Sequence, residues 1–322
     1  MPIEQLFLSQ RMFKGDMNEE ELEFIGILSN ADPSISRLKL GHGFRLEQRG
    51  FDEICQLLSQ RCQISRDGVI ERFISSGIGQ EFCVVTKTYV SDPLMSDAHS
   101  RYKNFSDFLT NEIKGYLAGQ LSSMRLFKEG NIQMPLEFIC AIVDDRPSTI
   151  YENTRGYSNR LGGKYSLTEK EVHEFQEFNR RVKIPFSEPY LRMAFESFEQ
   201  SYFTSDLYGN HNLVFLSLMI SLETLLNPGP QELRYRISRN AAVLLGEGKE
   251  RCKELFKDLG RLYDIRSEIV HNGRIDLVSE GDVLRLRDYV RNAITRAYEM
   301  HMDKASLVDE LNSRGFEPLT SQ

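Results

Sequence analysis

The stretch NHNLVFLSLMISLETLLNPGP, residues 210 to 230, is apolar on most sides when wound as a helix. Such a helix needs neighbours around it rather than water. The flanking sequence supplies them. Leu191, Phe195, Phe198 and Tyr202 line a helix before it. After it come QELRYRISRNAAVLLGEG, stopped by Gly246, and Lys249 to His271, stopped by Asn272-Gly273. A capping box, Ser279 to Asp282, then opens a helix with Val283, Leu286, Val290, Ala293, Ala297 and Met300 on one stripe. Five amphipathic helices with short connections predict a bundle over residues 183–322.

The first half mixes periods, which predicts an α+β chain: a mixed α/β domain over 1–182, then the all-helical domain. FDEICQLLSQRC (51–62) has helical spacing, and EFCVVTKTYV (81–90) reads as a strand by its β-branched content. SDPLMSDAHSRYKN (91–104) reads as a polar loop. Residues 106–130 form an amphipathic pattern with Leu109, Ile113, Leu117, Leu121 and Met124 on one stripe. In NIQMPLEFICAIV, Ile132, Met134, Leu136, Phe138, Cys140 and Ile142 alternate, which predicts a strand with one apolar face. Pro135 points to an edge position, and TIYEN to a partner strand. Thr168 to Glu171 is a capping box opening a helix through Val182, and the prolines of KIPFSEPY mark the domain boundary.

Composition narrows the chemistry. No window approaches about 18 uncharged apolar residues, so no membrane span is expected, and MPIEQLFLSQRMFKGD lacks the pattern of a signal peptide. The five cysteines have no C-x-x-C pair, which argues against a disulfide framework or structural zinc and for a reducing cytoplasm. There is no phosphate-binding loop and no H-E-x-x-H, and GHGFRL at 41–46 lacks the third glycine of a dinucleotide fingerprint. No helix-turn-helix pattern stands out, and neither a metal nor a cofactor is expected. Net charge is −7, yet residues 231–274 carry ten Lys/Arg against seven Asp/Glu. Residues 283–296 carry four arginines and one acid. These segments read either as solvated helix faces or as an anion-binding surface.

One residue breaks the pattern. The stripe Leu255, Leu259, Leu262 continues with Arg266 and then Ile269. An unpaired charge there would cost several kcal/mol, so Arg266 needs a carboxylate, a phosphate or a wet cleft. Glu223, among Leu216, Met219, Ile220 and Leu226 at helical spacing, is the matching misplaced acid. The two are expected to face each other, either as an architectural ion pair or as part of a site. His271, five residues on, lies about 140° round an ideal helix from Arg266. Only an unwound last turn or a second copy of the helix brings the two together. On its own, His271 reads as a residue favoured by the helix C-terminus.

Arg266-Ser267-Glu268-Ile269-Val270-His271 fits the R-x-x-x-x-H motif of the HEPN superfamily. SLETLL, ELRYRISRNAAVLLG and LFKDLGRLYDIRSEIVHNG, in that order, resemble the Apea-like HEPN family of prokaryotic defence proteins over about residues 190–300. LKLGHGFRLE and MRLFKEGNIQ look like the domain that often precedes it. The resemblance implies an all-helical, dimerising domain and a metal-independent endoribonuclease. Arg266 would hold the scissile phosphate, and His271 would act as general acid/base for 2′-hydroxyl attack, leaving a 2′,3′-cyclic phosphate. Glu223, Ser267 and Asn272 would support them, and Arg234, Arg236, Arg239 and Arg274 would contact RNA. It further implies a cytoplasmic anti-phage or abortive-infection effector whose N-terminal domain senses a phage or cellular trigger. A non-catalytic HEPN module that dimerises and binds RNA or protein is the alternative.

Overall fold

The computed structural model describes residues 21–79, 82–90, 107–143, 146–156, 161–204, 211–227, 229 and 231–314. The polar loop expected at 91–104 and the N-terminal sixteen residues fall outside them. The chain forms two compact units, one of residues 1–157 and 163–176, the other of 158–162 and 177–322.

The first unit is built on a five-stranded antiparallel sheet in the order β2-β3-β1-β4-β5. The strands are β1 Glu21–Ser29, β2 Arg45–Glu47, β3 Phe82–Val90, β4 Gln133–Val143 and β5 Arg146–Thr154. Two helices, α1 Phe51–Cys62 and α2 Arg66–Ser75, cover one face. There Ile54, Leu58, Val69 and Phe73 pack on Ile25, Ile27, Val84, Leu136 and Phe138. The other face meets a π-helix, Phe108–Leu117, which runs on into α3, Ala118–Phe127. All five residues of its predicted stripe are buried.

Two expectations fail in β4. Pro135 does not mark an edge, because β4 lies between β1 and β5. The β1–β4 register shifts between Ile27/Leu136 and Ser29/Gln133, and Pro135 sits at that irregularity, its carbonyl accepting the Arg155 N–H one residue past the end of β5. The bulge also breaks the alternation. A Cβ on Gly26 would lie 2.7 Å from Met134 Sδ, so Met134 sits on the face of Gly26, opposite Leu136 and Phe138. An extra residue in one strand turns everything beyond it to the other side.

The cysteine expectation also fails: Cys62 at the end of α1 and Cys140 in β4 form a disulfide. Their sequence separation of 78 left no spacing motif to read. Cys55, Cys83 and Cys252 are free and buried.

The second unit is helical. It holds α5 Pro189–Phe203, α6 Asn212–Leu226, α7 Leu233–Leu245, α8 Lys249–Asn272, α9 Glu280–Glu299 and α10 Lys304–Ser313. The capping-box helix α4, Glu169–Arg181, carries the chain from one unit into the other. The helix expected to be central is central: α6 packs against α5, α7, α8, α9 and α10. Both capping boxes form, with Thr168 Oγ1 accepting the Glu171 N–H and Ser279 Oγ the Asp282 N–H. The last helix, α10, was not anticipated. Among the described residues no helix is long and apolar enough to cross a membrane.

Candidate active site in the helical unit

Helix α8 sets the geometry. Cys252, Leu255, Leu259, Leu262 and Tyr263 are buried. The stripe then leaves the core: Arg266, Ser267 and Ile269 are half-buried, and His271 and Asn272 are exposed. Gly273, at φ 64°, stops the helix, its N–H donating to the Ile269 carbonyl and that of Arg274 to Glu268.

Arg266 meets Glu223 as expected. Nε lies 3.1 Å from Glu223 Oε1, with side-chain exposures of 21% and 19%. The two side chains approach as an ion pair at the edge of the core. The Arg266 guanidinium also lies 5.7 Å from the Tyr263 ring centroid. Burial pushes the Glu223 carboxyl above the usual carboxylate range, and the Arg266 charge only partly offsets it. Burial likewise raises the Tyr263 phenol, with the Glu223 charge adding to it.

His271 does not join this group. The helix stays regular through Asn272, so the last turn does not unwind to bring the ring round. Among the described residues His271 has no polar partner. Its neighbours gather at Glu268 instead: Asn272 Nδ2 donates to Glu268 Oε2 at 3.1 Å, and Arg274 Nη1 lies 3.5 Å from it.

The arginines expected to contact RNA are engaged within the unit. Arg234 forks onto Asp264 through Nε at 2.6 Å and Nη2 at 2.9 Å. Arg236 pairs with Glu232 one turn away. Arg239 donates to the carbonyls of Leu311, Asn312 and Arg314, and so clamps the end of α10. The basic run 283–296 is not a surface patch either. Arg287 and Arg291 are buried. Arg287 donates to the Leu161 and Ser201 carbonyls, its guanidinium 4.2 Å from the Tyr202 ring centroid. Arg285 bonds Asp258, and Arg296 bonds the Leu244 carbonyl and Glu247. Residue counts register charge but not its local neutralisation.

Sequence reasoning missed Tyr263, Asp264 and Glu268. Tyr263 was legible, since it lies three before Arg266 on one helix, and so was Glu268, four before its partner Asn272. Asp264 as the partner of Arg234 was not, because both side chains are exposed and neither interrupts an apolar stripe. Among the described residues no three His, Cys, Asp or Glu side chains converge as a metal-ion site.

No family model, curated protein or solved structure matches the chain.

Proposed function

We propose that the helical unit is a metal-independent endoribonuclease of HEPN type that cuts RNA by 2′-hydroxyl attack. The observation that carries this reading is the position of Arg266. It lies half-buried at the edge of the core, on the same helix as a solvent-facing histidine. A permanently charged fork can take a phosphate there, and a neighbouring imidazole can move the proton.

One chain cannot complete the site, because the regular helix keeps His271 about 140° from Arg266. The reading therefore includes a homodimer in which each copy's His271 approaches its partner copy's Arg266. Ile220, three residues before Glu223, is 50% exposed, and Val270, four after Arg266, is 48% exposed. Both are apolar side chains that such an interface would cover. In this scheme Glu223 positions Arg266, and Ser267 and Asn272 flank the phosphate. The N-terminal unit would sense a phage or cellular trigger, and the protein would act as an anti-phage or abortive-infection effector.

A second reading rests on a different observation. Arg234, Arg236, Arg239 and Arg274 all have partners within the unit, as a non-catalytic module that dimerises and binds RNA or protein would allow. One experiment separates the two: the full chain is incubated with total RNA in EDTA, and the product ends are mapped. Cleavage leaving 2′,3′-cyclic phosphates, lost in His271→Ala, supports the nuclease. Intact RNA retained in a complex supports the module.

A further inference from the structure

The turn Gly41-His42-Gly43 in the first unit holds a cluster that the helical unit's site does not use. His42 Nδ1 lies 3.1 Å from Glu112 Oε2, and Lys87 Nζ donates to the same oxygen at 2.9 Å. The His42 ring stacks on Tyr116 with centroids 3.8 Å apart, and the Tyr116 hydroxyl accepts the Gly41 N–H at 2.9 Å. The turn, β3 and the π-helix thus converge on one imidazole. Two features show that the arrangement is imposed. His42 has φ 57°, a left-handed conformation that a side chain rarely adopts unless its surroundings dictate it. A Cβ on Gly41 would lie 2.5 Å from the Tyr116 hydroxyl, so this close approach needs glycine.

The pairing with a carboxylate favours one tautomer of the neutral ring. An ionised carboxylate only accepts, so Nδ1 carries the proton toward Glu112, and the neutral ring keeps its lone pair on Nε2. With the His42 side chain 51% exposed, the imidazole is open to solvent. We propose that His42 Nε2 is the nucleophile of a second reactive site, in the sheet unit, that accepts activated acyl groups and is oriented by Glu112. In the step itself, the Nε2 lone pair bonds to the acyl carbon and the bond from that carbon to its leaving group breaks. The leaving group departs with the electron pair. The Nδ1 proton passes to the Glu112 carboxylate, so the acylated ring ends neutral.

The test uses diethyl pyrocarbonate on the full chain at mildly alkaline pH, with carbethoxylation at each histidine followed by mass spectrometry. His271 is the internal comparator, because it is exposed and without a polar partner among the described residues. His42 should react several-fold faster than His271, and Glu112→Gln should remove that excess while leaving His271 unchanged. Equal rates in the wild type overturn the proposal, as does a fast His42 that ignores Glu112→Gln. If that variant fails to fold by circular dichroism, long-range proton–nitrogen NMR on the wild type decides. An Nδ1–H tautomer at His42 supports the proposal, and an Nε2–H tautomer sinks it.

Discussion

Glu223 and Glu112 are two half-buried carboxylates driven in opposite directions. For Glu223, burial outweighs the Arg266 charge and the carboxyl is raised. For Glu112, burial pushes up but Lys87 and His42 outweigh it, and the carboxyl is lowered. The consequences for stability have opposite sign. A raised carboxyl keeps its proton in the folded state after the unfolded chain has released it, so Glu223 costs stability as pH climbs from the ordinary carboxylate value, about 4.3, through its raised one. Glu112 contributes stability above its ordinary value, and loses it as pH falls through the lowered one. Urea unfolding across pH, with each unit followed by its own probe, should show Glu223→Gln flattening the rise-dependent loss in the helical unit. Arg266→Met should steepen it, because the opposing charge is gone. A double-mutant cycle with the same two variants should give a coupling of about 1–3 kcal/mol, as expected for contacting charges. Additive effects would mean that the 3.1 Å approach carries no energy.

Whole helices were more legible than strands, and the reason lies in burial. α6 could be placed at the centre from its letters alone, and so could the stripe on the π-helix and α3, because a helix repeats its pattern over many residues. β1 went unread although it is the middle strand. Phe24, Ile25, Ile27 and Leu28 are all buried, so both faces are covered and the period of two vanishes. The Glu223–Arg266 pair was legible because each side chain violates an apolar stripe. The Arg239 clamp and the Arg287 contacts were not, since backbone carbonyls far along the chain leave no letter to read. Two predictions belong here. His271→Ala at the exposed end of α8 should leave the melting temperature unchanged and lower RNA cleavage by about 10²–10⁴-fold, the usual scale of general acid–base help. A full-rate variant would remove the histidine from the mechanism. Arg239→Ala should act on a single element. Hydrogen exchange should quicken in α10, Lys304–Ser313, which loses its clamp, while α6 amides stay protected.

At the scale of the molecule, the Cys62–Cys140 bond closes a long loop within the sheet unit. Constraining the unfolded chain over that separation is worth about 4 kcal/mol in the loop-entropy account. Cys140→Ser, or dithiothreitol, should therefore lower the melting of the first unit and leave the helical unit's transition in place. A single transition shifted as a whole would show that the units unfold together.

The division into units has a consequence for how such a gene can be rearranged. The helical unit draws on two separate stretches of chain, 158–162 and 177–322. A single recombination breakpoint therefore cannot lift the helical unit out intact. Any fragment beginning near residue 183 leaves behind Leu161, whose carbonyl receives the wholly buried guanidinium of Arg287. The helical unit is thus a split inheritance: whatever carries residues 177–322 has to carry Leu161 as well, or find a new acceptor for that cation.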